Sequence, residues 1–140
     1  MTEDQSDFDV GEVLRYWLVE AGEALQVADH LIEKADYSYA LFFGHLAVEK
    51  TLKALYASRI KQHAPPIHNL LRLARLAGLE PDETQTEALL TITAFNIEAR
   101  YPDLKRAFRQ RCTPEFAARE MAQIKEVFRW LRSLLPLEKV

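Results

Sequence analysis

The sequence predicts an all-α protein, an antiparallel up-and-down helical bundle of four to five helices, and three observations point there. Apolar residues recur at three- and four-residue steps over long stretches, the period of helices that bury one face. Only 4 Gly and 6 Pro occur in 140 residues, too few for the many tight turns of an all-β fold. The breaks between the periodic stretches are short, so consecutive helices are expected to lie antiparallel. With 49% hydrophobic and 28% charged residues, the composition is that of a globular domain rather than a disordered chain. One domain over residues 1–140 is expected, with its core at about 10–135.

Each element has its own signal. Val10, Val13, Leu14, Trp17, Leu18, Ala21, Leu25, Ala28, Leu31 and Ile32 draw one apolar stripe along a long first helix. Asp36 is placed to cap a second helix running to about Lys61. Its apolar residues, among them Tyr39, Leu41, Phe42, Phe43, Leu46, Val48, Leu52 and Leu55, point in several directions. Such a helix should lie centrally. Pro65 and Pro66 then break the chain. A short helix over about His68–Ala77 should stop at Gly78, a residue suited to the left-handed position after a helix. Pro81 and Asp82 open a helix through Arg100, and Tyr101–Pro102–Asp103 interrupts it. The basic segment Leu104–Arg111 reads as helical. Thr113–Pro114–Glu115 supplies a capping hydroxyl, a first-turn proline and a first-turn acid for the last helix.

Several classes fall away. A single cysteine, Cys112, forms no internal disulfide, which fits a reducing compartment. The start MTEDQSDFD is acidic where a targeting peptide would be basic. The longest stretch free of Asp, Glu, Lys and Arg, Tyr37–Val48, is too short to span a bilayer. A soluble, cytoplasmic protein with no membrane association is expected. The four scattered glycines build no phosphate loop, and His63 and His68 flank two prolines instead of sharing a helix face as zinc ligands would. No metal and no cofactor is expected.

Net charge is −3 but unevenly spread: residues 1–36 carry ten acids against Arg15 and Lys34, and the remainder has more bases than acids. A basic face would suit an anionic partner; the acidic start could equally serve solubility alone.

Three segments carry candidate chemistry. In AVEKTLKAL, Glu49 and Lys53 are spaced to pair, either as an exposed structural pair or, with Lys50, as a charge cluster in an inter-helix groove that contacts phosphate. His68, in HNLLRL, stands where it or Asn69 could cap a helix, or where an imidazole could donate to an anion. In NIEARYPD, Arg100 could fork onto a phosphate beside a stacking Tyr101, or bridge to Asp103. Five bases and one acid lie between Arg100 and Arg111, while Phe108 and Cys112 read as core.

These segments, in this order, resemble the HEPN family of small prokaryotic helical domains. The likeness spans about Val10 to Leu135. It implies a bundle that commonly dimerises, an association with minimal nucleotidyltransferases, often as toxin–antitoxin pairs, and nucleotide or RNA as ligand. Ribonuclease members of the family carry an arginine and a histidine with four to six residues between them. Here Arg59 precedes His63 with three residues between and His68 with eight, and Asn96–Asp103 holds no histidine. The expected function is therefore a non-catalytic module with no catalytic residues, binding a nucleotide or a nucleotidyltransferase partner through Lys50, Lys53, His68, Arg100 and Tyr101. An endoribonuclease toxin with an atypical active site, and a purely structural homodimerisation domain, are the alternatives. The aromatic cluster Tyr37, Tyr39, Phe42 and Phe43 is the surface expected to pair two copies.

Overall fold

The computed structural model describes residues 8–136. They form six helices: α1 (Val10–Glu33), α2 (Tyr37–Ile60), α3 (Leu70–Leu76), α4 (Glu83–Arg100), α5 (Pro102–Arg111) and α6 (Pro114–Arg132). The all-α class holds, and the count exceeds the expected four to five by one. The physical reason lies at one residue. Tyr101 is extended (φ −84°, ψ 127°) and serves both as the residue closing α4 and as the cap of α5, with Pro102 as the first residue of α5. Proline lacks the N–H that a continuous helix would need there, so α4 and α5 are two helices.

Most helix starts are the ones the residue types dictate. The Asp9 carboxylate accepts from Glu12 N, and the Thr113 hydroxyl from Phe116 N. Asp82 and Gln85 form a reciprocal capping box at 2.7 and 2.9 Å. Two starts differ from expectation. Asp36 occupies the cap position of α2 but its side chain caps nothing. α3 begins at Leu70 rather than His68, because Asn69 takes the cap by accepting from Arg72 N at 3.0 Å. Gly78 follows α3 at φ +88°, the left-handed position expected of it.

α2 is the central element, packed against α1, α6, α4 and α3. It buries fourteen of its twenty-four residues, so no single polar face survives. Ala40, Ala47, Ala54 and Ala57 are fully buried and let neighbouring helices approach closely. At Gly44 the approach is tightest: a Cβ built there would lie 2.6 Å from Ile124 Cδ1 and 3.2 Å from its Cγ2. Phe95 of α4 and Phe108 of α5 stack at 5.6 Å in the core, and both are almost wholly buried. Among the described residues no helix is long and apolar enough to cross a membrane.

Ile124 is itself fully buried, so it has little room to retreat. Gly44→Ala should therefore destabilise the fold by about 1–3 kcal/mol despite alanine's better helix propensity. Chemical denaturation of the two proteins measures this; an unchanged or raised midpoint would show that α2 and α6 can part at no cost.

Candidate functional site

The middle of α2 carries three polar side chains one turn apart, His45, Glu49 and Lys53, on a helix otherwise sunk in hydrocarbon. All three are buried: His45 is 0%, Glu49 4% and Lys53 9% exposed. A carboxylate so deep requires compensation. Lys53 Nζ supplies it at 3.0 Å from Oε2, and His68 Nδ1 at 3.0 Å from Oε1. The Lys53 ammonium also lies 5.2 Å from the ring centre of Trp17 on α1, so its remaining side meets an aromatic face. The pair anticipated from spacing is real, and it is internal rather than on an exposed face.

His68 reaches Glu49 from the loop between α2 and α3. Its side chain remains about half exposed, and with Nδ1–H donated to the carboxylate, the tautomer leaves Nε2 as an acceptor. The backbone of the same residue is held as well: its carbonyl accepts from His45 Nε2 at 3.2 Å. Glu49 lies 3.7 Å from that same His45 nitrogen. His45 Nδ1 is buried without a hydrogen-bond partner, which assigns the neutral ring with its proton on Nε2. Burial pushes the His45 pKa below its usual 6.5, outweighing the bond to the His68 carbonyl and the Glu49 charge, which both act to raise it, while the Arg100 charge adds to the lowering.

Arg100 ends α4 close enough to His45 to be felt there, and it is exposed. Its guanidinium lies 5.9 Å from the Tyr101 ring centre. Tyr101 is 52% exposed. The bridge from Arg100 to Asp103 does not occur among the described residues; the ion pair that ties α4 to α5 is Arg111–Glu98, at 2.7 Å. That bond holds the Arg111 guanidinium above its usual range.

The structure thus unites Lys53 and His68 through Glu49, and sets Arg100 and Tyr101 at the neighbouring corner. It does not bring in Lys50, which turns to α1 and pairs with Glu20 at 3.0 Å. Sequence reasoning gave Glu49 a supporting part, yet it is the hub. Trp17 went unnoticed as a partner of Lys53, because an aromatic on a core stripe carries no sign that a cation will face it. His30 is exposed on α1, and His63 packs edge-on against Phe8 at 4.7 Å. Phe108 and Cys112 are in the core as expected, and burial pushes the Cys112 thiol up to about 11. Among the described residues no group of three His, Cys, Asp or Glu side chains is arranged to hold a metal ion.

Two measurements test this network. Glu49→Ala leaves the Lys53 ammonium buried beside Trp17 without a counter-charge, and should cost about 3 kcal/mol. His68→Ala, which leaves that pair intact, should cost about 1 kcal/mol. Equal losses in denaturant unfolding would show that Glu49 is not the hub. His45 supplies a pH dependence whose sign is fixed. With a folded pKa below 6.5, its unfolded form takes up protons first, so its contribution is intact above pH 6.5 and lost as pH falls through the depressed folded pKa. The thermal midpoint should drop from pH 7 to pH 5 more steeply in the native protein than in His45→Gln.

The HEPN domain family model matches residues 14–134. The crystal structure of TT1696 from Thermus thermophilus superposes with a TM-score of 0.74 and 27% sequence identity, covering 87% of this chain and 98% of that one. No curated protein sequence matches significantly. With the family model spanning nearly the whole bundle, from Leu14 in α1 to beyond the end of α6, the chain belongs to the HEPN domain family.

Proposed function

We propose that this HEPN domain is a non-catalytic binding module whose ligand is a nucleotide, an RNA or a nucleotide-handling partner such as a minimal nucleotidyltransferase, in a toxin–antitoxin pair or a comparable assembly. One observation carries the reading. Arg100 is exposed, has no carboxylate partner among the described residues, and stands beside an exposed Tyr101 ring. A planar fork next to a stacking surface suits a phosphate and its base. His68 Nε2, an acceptor on a ring that Glu49 fixes from behind, adds an oriented group for a donor on the base or ribose rather than for the phosphate. Lys53 and Lys50, expected as phosphate contacts, support the site only indirectly, because each is already engaged by a carboxylate.

The Glu49–His68 contact favours one second reading. A buried carboxylate holding Nδ1 so that Nε2 faces outward is the arrangement of a general base, and Arg100 would then clamp the scissile phosphate. That is the endoribonuclease alternative, with His68 in place of the usual arginine–histidine spacing.

Homodimerisation belongs to the same proposal, and a second apolar surface joins the expected cluster, of which Tyr39 is exposed. Phe42 and Phe43 are partly buried against the core, while Leu90, Ile97, Tyr101 and Leu104 are exposed along α4 and the start of α5. Light scattering should give about twice the chain mass of 16.2 kDa; a monomer at micromolar concentration would refute the dimer.

Arg100→Ala should weaken binding of ATP or AMP about tenfold or more while leaving the helical spectrum unchanged. Unaltered affinity would sink the binding reading at this corner. Partner-free protein should not cleave single-stranded or transfer RNA. Cleavage that disappears in His68→Ala would replace the binding module by the ribonuclease.

A further inference from the structure

Between α3 and α4 lies a groove of about 400 Å³, lined by Asn69, Leu71, Arg72, Arg75, Leu76 and Leu90. Leu71 is partly buried against the core, while Leu76 and Leu90 are exposed. Arg72 and Arg75 flank these leucines, are exposed, and form no ion pair among the described residues. Asn69 spends its side chain on capping α3. Glu87, one turn before Leu90 on α4, does not line the groove. This surface is apolar and cationic.

The outer side of α1 has the opposite character. α1 packs chiefly along α2. Tyr16, Val19, Glu23 and Val27 follow at steps of three, four and four, so they share one line about 16 Å long. All four are exposed. Trp17 holds the Tyr16 ring edge-on at 5.0 Å, which prepares it as an anchor. Glu12 and Glu23 are exposed and form no ion pair among the described residues, whereas Glu20 and Asp29 are engaged by Lys50 and Lys125. Arg15 is the only arginine or lysine within α1, against five acids.

Charge decides which of these surfaces can meet. Two copies placed groove to groove would bring four uncompensated guanidinium groups together. Two α1 faces would set Glu12 and Glu23 against their own images. Both juxtapositions are unfavourable. Only the crossed arrangement lays the aromatic and valine side chains on the leucines while each arginine meets a carboxylate, and it is a helix in a groove.

We infer that α1 of one copy lies in the α3–α4 groove of a second copy. Tyr16, Val19 and Val27 fill the hollow beside Leu76 and Leu90, and Glu12 and Glu23 pair with Arg72 and Arg75 at its rim. The inference rests on the homodimer reading above and specifies it: Leu90 meets α1 of the other copy, not a second Leu90. Neither surface includes Arg100 or Tyr101, so binding at that corner and pairing here can fail separately.

The experiment is complementation by charge, read as mass by light scattering on the full chain at micromolar concentration. Arg72→Glu/Arg75→Glu has an acidic groove and an acidic α1; Glu12→Lys/Glu23→Lys has a basic groove and a basic α1. Each alone should be monomeric, its dissociation constant raised about tenfold or more, with an unchanged helical spectrum, since all four positions are exposed. An equimolar mixture of the two should regain the wild-type mass, because each α1 then faces a groove of opposite charge. Leu90→Asp, which leaves the seven-residue α3 untouched, should also be monomeric. Arg106→Glu/Arg129→Glu makes the same change of charge outside both surfaces and should associate like the wild type. A mixture of doubled mass assigns a mutual pair, and a series of larger masses assigns head-to-tail growth; both support the contact, the second at the expense of the closed homodimer. The contact is overturned if either charge-reversed variant associates like the wild type, if the mixture stays monomeric, or if the Arg106/Arg129 control dissociates as the others do. A monomeric wild type removes the homodimer and this contact together, whereas a doubled mass that survives every substitution removes this contact alone.

Discussion

The burial of one carboxylate organises this protein. Glu49 sits at the middle of the helix that every large packing surface shares, where an isolated charge would be prohibitively unfavourable. Its two oxygens are answered from two directions: Lys53, one turn along the same helix, and His68, nineteen residues on, past the Pro65–Pro66 break. The second contact is the one with structural reach. It brings the loop back over α2, and the His45–His68 carbonyl bond pins its backbone. α3 then starts where Asn69 caps it and Thr93 of α4 accepts from Leu70 N at 3.0 Å. The placement of the short third helix thus follows from the compensation of a charge in the second.

The same compensation explains why α2 can be both central and polar. A helix buried on all sides gains from apolar area on every face, and α2 has it. Its alanines and Gly44 trade side-chain area for close approach, which lengthens the contact that its neighbours make along it. In so tight a setting a polar stripe survives only if fully paired, and His45, Glu49 and Lys53 nearly achieve this: Nδ1 of His45 is the exception. A neutral imidazole nitrogen left with an idle lone pair costs less than an unpaired donor, which is why the exception falls on that atom.

How far the sequence carried the structure depended on the range of each interaction. Helix ends set by residues three or four apart were legible: the capping box of Asp82 and Gln85, the Thr113–Pro114 start, and the turn at Gly78. The i, i+4 pair of Glu49 and Lys53 was legible for the same reason. Its burial was not, since depth depends on which helices pack over that stripe. Contacts between distant segments were invisible: Lys50 chose Glu20 over its near neighbours, and Arg111 chose Glu98. Asp36 shows the converse limit. A local pattern predicted a cap, and the side chain turned elsewhere because nothing local obliges a carboxylate to face its own helix.

α5 is where fold and candidate function meet. Within its span only Phe108 is buried, and its outer surface is given to Lys105, Arg106 and Arg109. Such an element gains little from the core and is free to be cationic at low cost in folding energy. Its direction is nonetheless fixed at three points: the Tyr101–Pro102 corner, the Phe95–Phe108 stack and the Arg111–Glu98 pair. Arg100 precedes the corner on α4, and Arg109 follows it two turns into α5. The separation of these two guanidinium groups is therefore set by the corner and by Phe108, not by their own side-chain preferences. A change that loosens Phe108 would disturb the basic surface before it disturbed the bundle, because α5 adds few contacts to the core that α1, α2, α4 and α6 build together.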